Sequence, residues 1–304
     1  MKILIFGSEG FIGSHLVSFF KTRGAEVFSA DIVLKQELNY FLINPEIPDF
    51  AFIFRSQPFP FDVCINASGA ANVQLSFAHP ALDFSLNAFN VYNILEALRQ
   101  KNPRCKFINL SSAAVYGNPA QLPVKETDGI GPVSPYGYHK WYSELICRQF
   151  HQLYGMPALN VRIFSAYGEG LKKQLFWDVY QKALAVKGKT DNSIRLFGTG
   201  NETRDFIHVT DICSALDKIV GHAQFVGEVI NVASGIEIRV KDAVILFIKE
   251  LGYKIQIDFG GEVKKGDPLH WRADISNVKK FGFEPGISIE SGIERIAQWM
   301  KNLK

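Results

Sequence analysis

The sequence runs to 304 residues with 33 basic and 30 acidic side chains, a formal charge of +3 and 47% hydrophobic residues, enough chain for a large core in one large or two modest domains. The small net charge without a long Lys/Arg run argues against nucleic acid as a partner, and no apolar run approaches the roughly 20 residues that cross a bilayer. Four scattered cysteines, Cys64, Cys105, Cys147 and Cys213, have neither a CxxC pair nor metal-ligand spacing, so reduced thiols in a cytoplasmic protein without a metal site are expected.

Lys2 to Phe6 (KILIF) is a continuous apolar run too short for a helix, which predicts a strand buried on both faces rather than a signal peptide. Gly7, Gly10 and Gly13 turn the chain, and FIGSHLVSFFKTRG continues at helical spacing to a stop at Gly24. A second strand, Glu26 to Ala30, ends at Asp31. Strand, glycine turn, helix, strand, acid is the pattern of a dinucleotide-binding unit. Glycines let backbone amides approach a pyrophosphate, the helix N-terminus favours its charge, and a carboxylate at position 31 can accept from an adenosine ribose hydroxyl. The same carboxylate repels a 2′-phosphate, so NAD is expected over NADP. The spacing is GxxGxxG rather than the commoner GxGxxG.

The alternation continues. FDVCINASG (61–69) reads as a strand, Ala81 to Gln100 as an amphipathic helix, and Cys105 to Ser112 as a strand. Ser134 to Gly155 reads as a long helix with a Ser-Pro start, and Ala158 to Gly168 as one strand into a glycine turn. After residue 168 the rhythm is less regular: helices are expected in LKKQLFWDVYQKALA, DICSALDKIVGHA, KDAVILFIKELG and the C-terminal SIESGIERIAQWMKNLK, with strands in SIRLFG and EVINVAS. The fold class is therefore α/β, a doubly wound parallel sheet with a smaller C-terminal lobe. A cofactor-binding domain is expected over 1–168, with segments near 205–255 returning to it, and a substrate lobe mainly over 169–304.

Within SPYGYHK, Tyr136 and Lys140 lie four apart and share a helix face. A phenol of pKa about 10 is a poor base at neutral pH. A neighbouring ammonium and a cationic nicotinamide ring both favour its phenolate, which could then take a proton from a sugar hydroxyl while hydride leaves the same carbon. Tyr138 lacks this partner, because Tyr142 stands four residues on. Ser111 and Ser112 end a predicted strand, where a hydroxyl sits over the cofactor crevice and can steady charge on the reacting oxygen; capping of the turn is the alternative use.

These motifs, in this order, together with DVCINASGAANV, SLNAFNVYNILEA, NLSSAAVYG, VRIFSAYG, TRDFIHVTDI, INVASG and GDPLHWRADIS, resemble the extended short-chain dehydrogenase/reductase family, specifically its nucleotide-sugar epimerase/dehydratase branch, over nearly the whole chain. The resemblance implies a Rossmann-type sheet, NAD, a nucleotide-sugar substrate and roles residue by residue. Ser112, Tyr136 and Lys140 match the catalytic triad. Gly7, Gly10, Phe11, Ile12, Gly13, Asp31, Ala67 and Asn87 match cofactor contacts, with Tyr136 and Lys140 beside the nicotinamide. Ser165, Gln174, Phe197, Arg204, Lys264 and Asp267 match positions that hold the nucleotide sugar. A homodimer through the helices around 81–100 and 134–154 is also implied. Without the resemblance, Arg204 and Asp205 read as a surface ion pair.

The chain departs from the family pattern in places. Ser165 and Gln174 stand where asparagines are usual, Lys264 where an arginine is common, and Asn44 where an aspartate near the adenine is usual; INASGAA replaces His-Leu-Ala-Ala. Trp271 falls near a position that shapes the sugar pocket, where its bulk would exclude a large sugar substituent. The implied reaction is 4-epimerisation by transient oxidation at C4. A nucleotide-4-keto-sugar reductase uses the same triad and is the alternative. A 4,6-dehydratase would carry an Asp-Glu pair where this chain has Ala113 and Ala114. A non-catalytic cofactor-binding protein would commonly have lost the Tyr or Lys.

Overall fold

The computed structural model describes residues 1–189, 192–262 and 264–303. In chain order, β1 (Lys2–Phe6), α1 (Phe11–Thr22), β2 (Glu26–Asp31), β3 (Tyr40–Leu42), α2 (Phe50–Arg55) and β4 (Val63–Asn66) are followed by α3 (Val73–Ala78), α4 (Pro80–Phe84), a π-helical turn (Ser85–Phe89) and α5 (Asn90–Lys101). Then come β5 (Lys106–Ser112), α6 (Pro135–Tyr154), β6 (Ala158–Ile163), β7 (Ser165–Tyr167), α7 (Gln174–Val186), β8 (Ser193–Leu196) and β9 (Thr203–His208). The chain closes with α8 (Val209–His222), β10 (Val226–Val232), β11 (Glu237–Arg239), α9 (Val240–Leu251), β12 (Gln256–Phe259), α10 (Ser276–Lys279) and α11 (Ile289–Lys301).

Seven strands form one sheet in the order β10-β6-β5-β4-β1-β2-β3, and its paired strands are all parallel. Strand alternation divides its side chains. Ile3 and Ile5 face a core completed by Leu16 and Phe20 of α1 and by Ile212, Leu216 and Ile219 of α8. Leu4 and Phe6 face the opposite core, with Ile53 of α2, Ile94 and Leu98 of α5, and Cys147 and Phe150 of α6. A parallel sheet needs both faces covered, and the apolar runs of the strands follow from that. A separate core joins α7, β8, α9 and α11 through Phe176, Ile194, Phe247 and Ile296, beside the small sheets β11-β9-β7 and β12-β8.

Two elements differ from the sequence reading. The helix expected over 81–100 is interrupted by the π turn at Ser85–Phe89, which adds a residue to one turn and so rotates α5 relative to α4. The strand expected over 158–168 is two strands in two sheets, since β6 pairs with β5 and β10 while β7 pairs with β9; the sequence has no Gly or Pro at the step to mark it. The carboxyl ends of β1, β2, β4, β5 and β6 share one edge of the sheet, where ligands of this topology bind.

Candidate active site

The turn after β1 is shaped by close backbone approach. Gly7 has φ +74°, and a Cβ there would lie 2.6 Å from Ser68 N and 2.7 Å from the Ala67 carbonyl, while one on Gly13 would lie 1.9 Å from Gly7 O. Ala67 is locked alongside by its amide, which donates to Phe6 O at 3.0 Å. Gly10 precedes α1 with no side-chain cap and no acidic residue in the first turn, so the Phe11, Ile12 and Gly13 amides present the positive end of the helix to the crevice. Ser8 Oγ, in the same turn, is buried without a hydrogen-bond partner. Asp31 ends β2 and accepts from Glu9 N at 2.9 Å, Ile32 N at 2.7 Å and Val33 N at 3.3 Å. A bare helix end, an orphaned hydroxyl and a carboxylate held next to the turn are features that fit a dinucleotide.

The reacting end is built from β5 and α6. Ser134 caps α6, accepting from Gly137 N at 3.1 Å, and Pro135 opens it. Tyr136 and Lys140 are buried, Lys140 Nζ lies 5.9 Å from the Tyr136 ring centre, and it donates to Leu110 O at 3.0 Å. The Tyr136 and Ser112 hydroxyls are hydrogen-bond neighbours. Ser111 points elsewhere: it is buried and donates to Glu144 at 2.6 Å, so of the two strand-end serines Ser112 faces Tyr136. Asn87 lies in the π turn, its Nδ2 donating to Ala70 O at 3.1 Å and to Asp83 at 3.0 Å, while its Oδ1 is buried without a partner and therefore available to a ligand.

The electrostatics correct one expectation. Spacing alone suggests that Lys140 draws the Tyr136 pKa down; burial opposes this and pushes the phenol up to about 12, the Ser112 hydrogen bond working against it. Burial likewise pulls Lys140 down to about 8, against the support of Asp83 and Glu144. A positively charged ligand in the crevice is what would tip the phenol toward its ionised form.

The residues matched to the nucleotide sugar converge from separate segments. Phe197 is exposed, with Lys264 Nζ 4.5 Å and Lys182 Nζ 5.8 Å from its ring centre. Asp267 feels Arg204 and Lys264, which oppose the upward push of its burial. Arg204 reaches the Thr203 carbonyl at 2.9 Å and lies 5.7 Å over the Trp271 ring. Ser165 starts β7, paired with Phe206 of β9. Gln174 opens α7 in a left-handed conformation, φ +66°, and no hydrogen bond ties it to the cluster among the described residues. Asp205 is no surface partner of Arg204: it is fully buried and accepts from the amides of Ser234, Gly235 and Ala273, which pin β9 to the loops that carry the cluster. Sequence reasoning also missed the buried pair of His139 Nδ1 and Asp83 at 2.6 Å; the i, i+4 spacing of Asp83 and Asn87 and the place of His139 directly before Lys140 were the available signals.

Comparison with known proteins shows the family and the fold. The model of the NAD dependent epimerase/dehydratase family matches residues 3–233. A putative UDP-glucose 4-epimerase from Methanocaldococcus jannaschii is 29% identical, covering 99% of this chain and 98% of its own length. UDP-glucuronic acid 4-epimerase from Bacillus cereus, solved with UDP-glucuronic acid and NAD, has a TM-score of 0.87 at 25% identity over 100% of both chains. UDP-N-acetylglucosamine 4-epimerase from Methanobrevibacter ruminantium, solved with UDP-N-acetylmuramic acid, has a TM-score of 0.85 at 26% identity, covering 99% of this chain and 98% of its own.

Proposed function

The chain belongs to the NAD dependent epimerase/dehydratase family, and within it we propose that it is a UDP-sugar 4-epimerase. The observation that supports this reading is the grouping of Ser112, Tyr136 and Lys140 at the carboxyl end of β5 and the start of α6, with alanines, not carboxylates, following the serine. NAD would supply reversible hydride chemistry at C4 of the sugar. Tyr136 takes the proton of the C4 hydroxyl and later gives it back, Ser112 holds the C4 oxygen, and Lys140 holds the nicotinamide ribose and supplies positive charge. Gly7, Gly10, Phe11, Ile12, Gly13, Asp31, Ala67 and Asn87 hold the rest of the cofactor. Inversion at C4 needs a sugar that turns over while its nucleotide stays fixed. Phe197, Arg204, Lys264 and Asp267 anchor the nucleotide side, with Ser165 and Gln174 nearer the sugar and phosphates. Trp271, buried and donating its indole N–H to Gly117 O at 2.9 Å, walls the sugar side against large substituents.

The test is a panel of UDP-, dTDP-, GDP- and CDP-sugars with C4 stereochemistry read by NMR and no added NADH. UDP-hexoses or UDP-hexuronic acids should interconvert with no net change in nicotinamide absorbance, and UDP-N-acetylhexosamines should turn over poorly. No inversion with any UDP-sugar overturns the proposal; stoichiometric consumption of supplied NADH would make the protein a reductase. Asp31→Asn keeps an oxygen for the Ile32 amide but removes the charge. It is expected to weaken NAD about tenfold, the loss of one charge-assisted hydrogen bond, and to narrow the preference over NADP. An unchanged ratio of the two affinities removes Asp31 from cofactor choice.

We further infer a cofactor domain over 1–168 with returning segments near 205–255, and a sugar lobe mainly over 169–304. Exposed Leu82, Phe84, Phe89, Tyr92, Tyr138 and Tyr142 on α4 to α6 support a homodimer through those helices; a monomer in light scattering would remove it. No helix among the described residues is long and apolar enough to cross a membrane. A cytoplasmic location and a supply of sugar donors for polysaccharide biosynthesis go with the proposed reaction; recovery of the native protein in a membrane or exported fraction would contradict the location.

A further inference from the structure

We propose that Asp83 is a positioning residue for this reaction: a buried carboxylate that ties the π turn to the start of α6 and supplies the counter-charge that sets the pH range in which Tyr136 and Lys140 work. The inference rests on the assignment of those two residues above.

The Asp83 side chain has no solvent exposure. Its Oδ2 meets His139 Nδ1 at 2.6 Å, and its Oδ1 accepts from Asn87 Nδ2 at 3.0 Å. His139 directly precedes Lys140 and lies three residues after Tyr136, so the bond fixes the rotation of the α6 turn that carries both. Asn87 also holds the Ala70 carbonyl at 3.1 Å, which links the same carboxylate to the loop after β4 and the cofactor crevice. One buried group thus spans α4, the π turn, α6 and that loop.

The charges around Lys140 explain why a carboxylate is used. From β5 it donates to the Leu110 carbonyl at 3.0 Å, and no charged group of β5 is among those that shift it. On its own helix Glu144 is bound by Arg162 of β6 at 2.9 and 2.7 Å, which cancels most of its field. The remaining titratable neighbours are Tyr136, His139 and, from α4, Asp83. Asp83 is the larger of the two supports that hold the Lys140 ammonium against burial, and the same charge adds to burial in raising Tyr136. Removing it lowers both groups, so both limbs of the pH–rate bell move toward acid together. A residue that only packs has no reason to move them.

The experiment compares wild type with Asp83→Asn and with the double variant Asp83→Asn/His139→Ser, which removes the partner as well and leaves no orphaned imidazole N–H in the core. The pH–rate profile is measured for the UDP-sugar found in the panel, and the pH dependence of NAD binding is followed by calorimetry. The expected result is an acidward movement of the bell by about one pH unit, as removal of a nearby opposite charge gives, with about a fivefold loss at pH 8 that is recovered on acidification. The alkaline loss of NAD affinity should move with it. A profile that stays in place, or that falls equally at all pH values, overturns the proposal. The binding arm separates the two failures: NAD affinity independent of pH in the wild type removes Lys140 from the cofactor site and this inference with it, whereas variants that follow a pH-dependent wild type remove only the role of Asp83.

Discussion

Tyr136→Phe is expected to lower epimerase turnover by roughly a hundred- to ten-thousandfold, the usual contribution of a positioned acid–base group, with little change in NAD retention. The substitution removes one oxygen from a side chain that is 8% exposed and leaves the ring, the α6 turn and the Lys140 contact to Leu110 O in place. The lost atom is the hydroxyl beside Ser112. Ser112 is a poor substitute, because an aliphatic hydroxyl is far less acidic than a phenol and its Oγ already accepts from Ala114 N at 3.2 Å. Turnover and equilibrium binding of NAD, measured on the same preparation, check the prediction. A fully active variant means that another group moves the proton.

Gly13→Ala is expected to abolish NAD retention and to cost about 3 kcal/mol or more of stability, seen as a melting temperature lower by roughly 6–10 °C. The new methyl would sit 1.9 Å from Gly7 O, 2.7 Å from Gly7 C and 3.0 Å from Ser8 Cα. All three are backbone atoms of the turn, so relief requires moving the turn itself and closing the space over the α1 N-terminus. Gly24→Ala is the matched control. Gly24 has φ +78° and nothing within 4 Å of an added Cβ, so only left-handed strain of about 1–2 kcal/mol is expected there, with NAD binding intact. If Gly13→Ala binds NAD and melts like wild type, the turn does not clasp the cofactor as described.

Much of the frame could be read from the chain because its signals are local. KILIF and the Ser134-Pro135 to Gly155 helix mark their own ends, and β1 and α6 fall within a residue of the expected bounds. Short or interrupted pieces could not be read this way. β3 is three residues long, α2 and α3 are six each, and the π turn leaves no gap in the hydrophobic pattern. Spacing put Lys140 beside Tyr136, but it carries no information on burial, and burial decides the direction in which both groups shift. Phe197, Arg204, Lys264 and Asp267 come from separate segments, so only resemblance grouped them before the fold did. Asp205 looked like a surface charge because its partners are main-chain amides, which have no signature in sequence.

The outermost strand beside β6 is β10, Val226–Val232, reached only after the chain has built α7, β8, β9 and α8. A nascent polypeptide that has left the ribosome as far as residue 168 therefore holds six of its seven sheet strands and a bare β6 whose main-chain groups await a partner more than fifty residues from being synthesised. During that interval the unpaired border is open to strands of neighbouring chains. Recombinant fragments cut at residue 168 inherit the same border permanently and are expected to precipitate, whereas fragments carried through residue 233 close it.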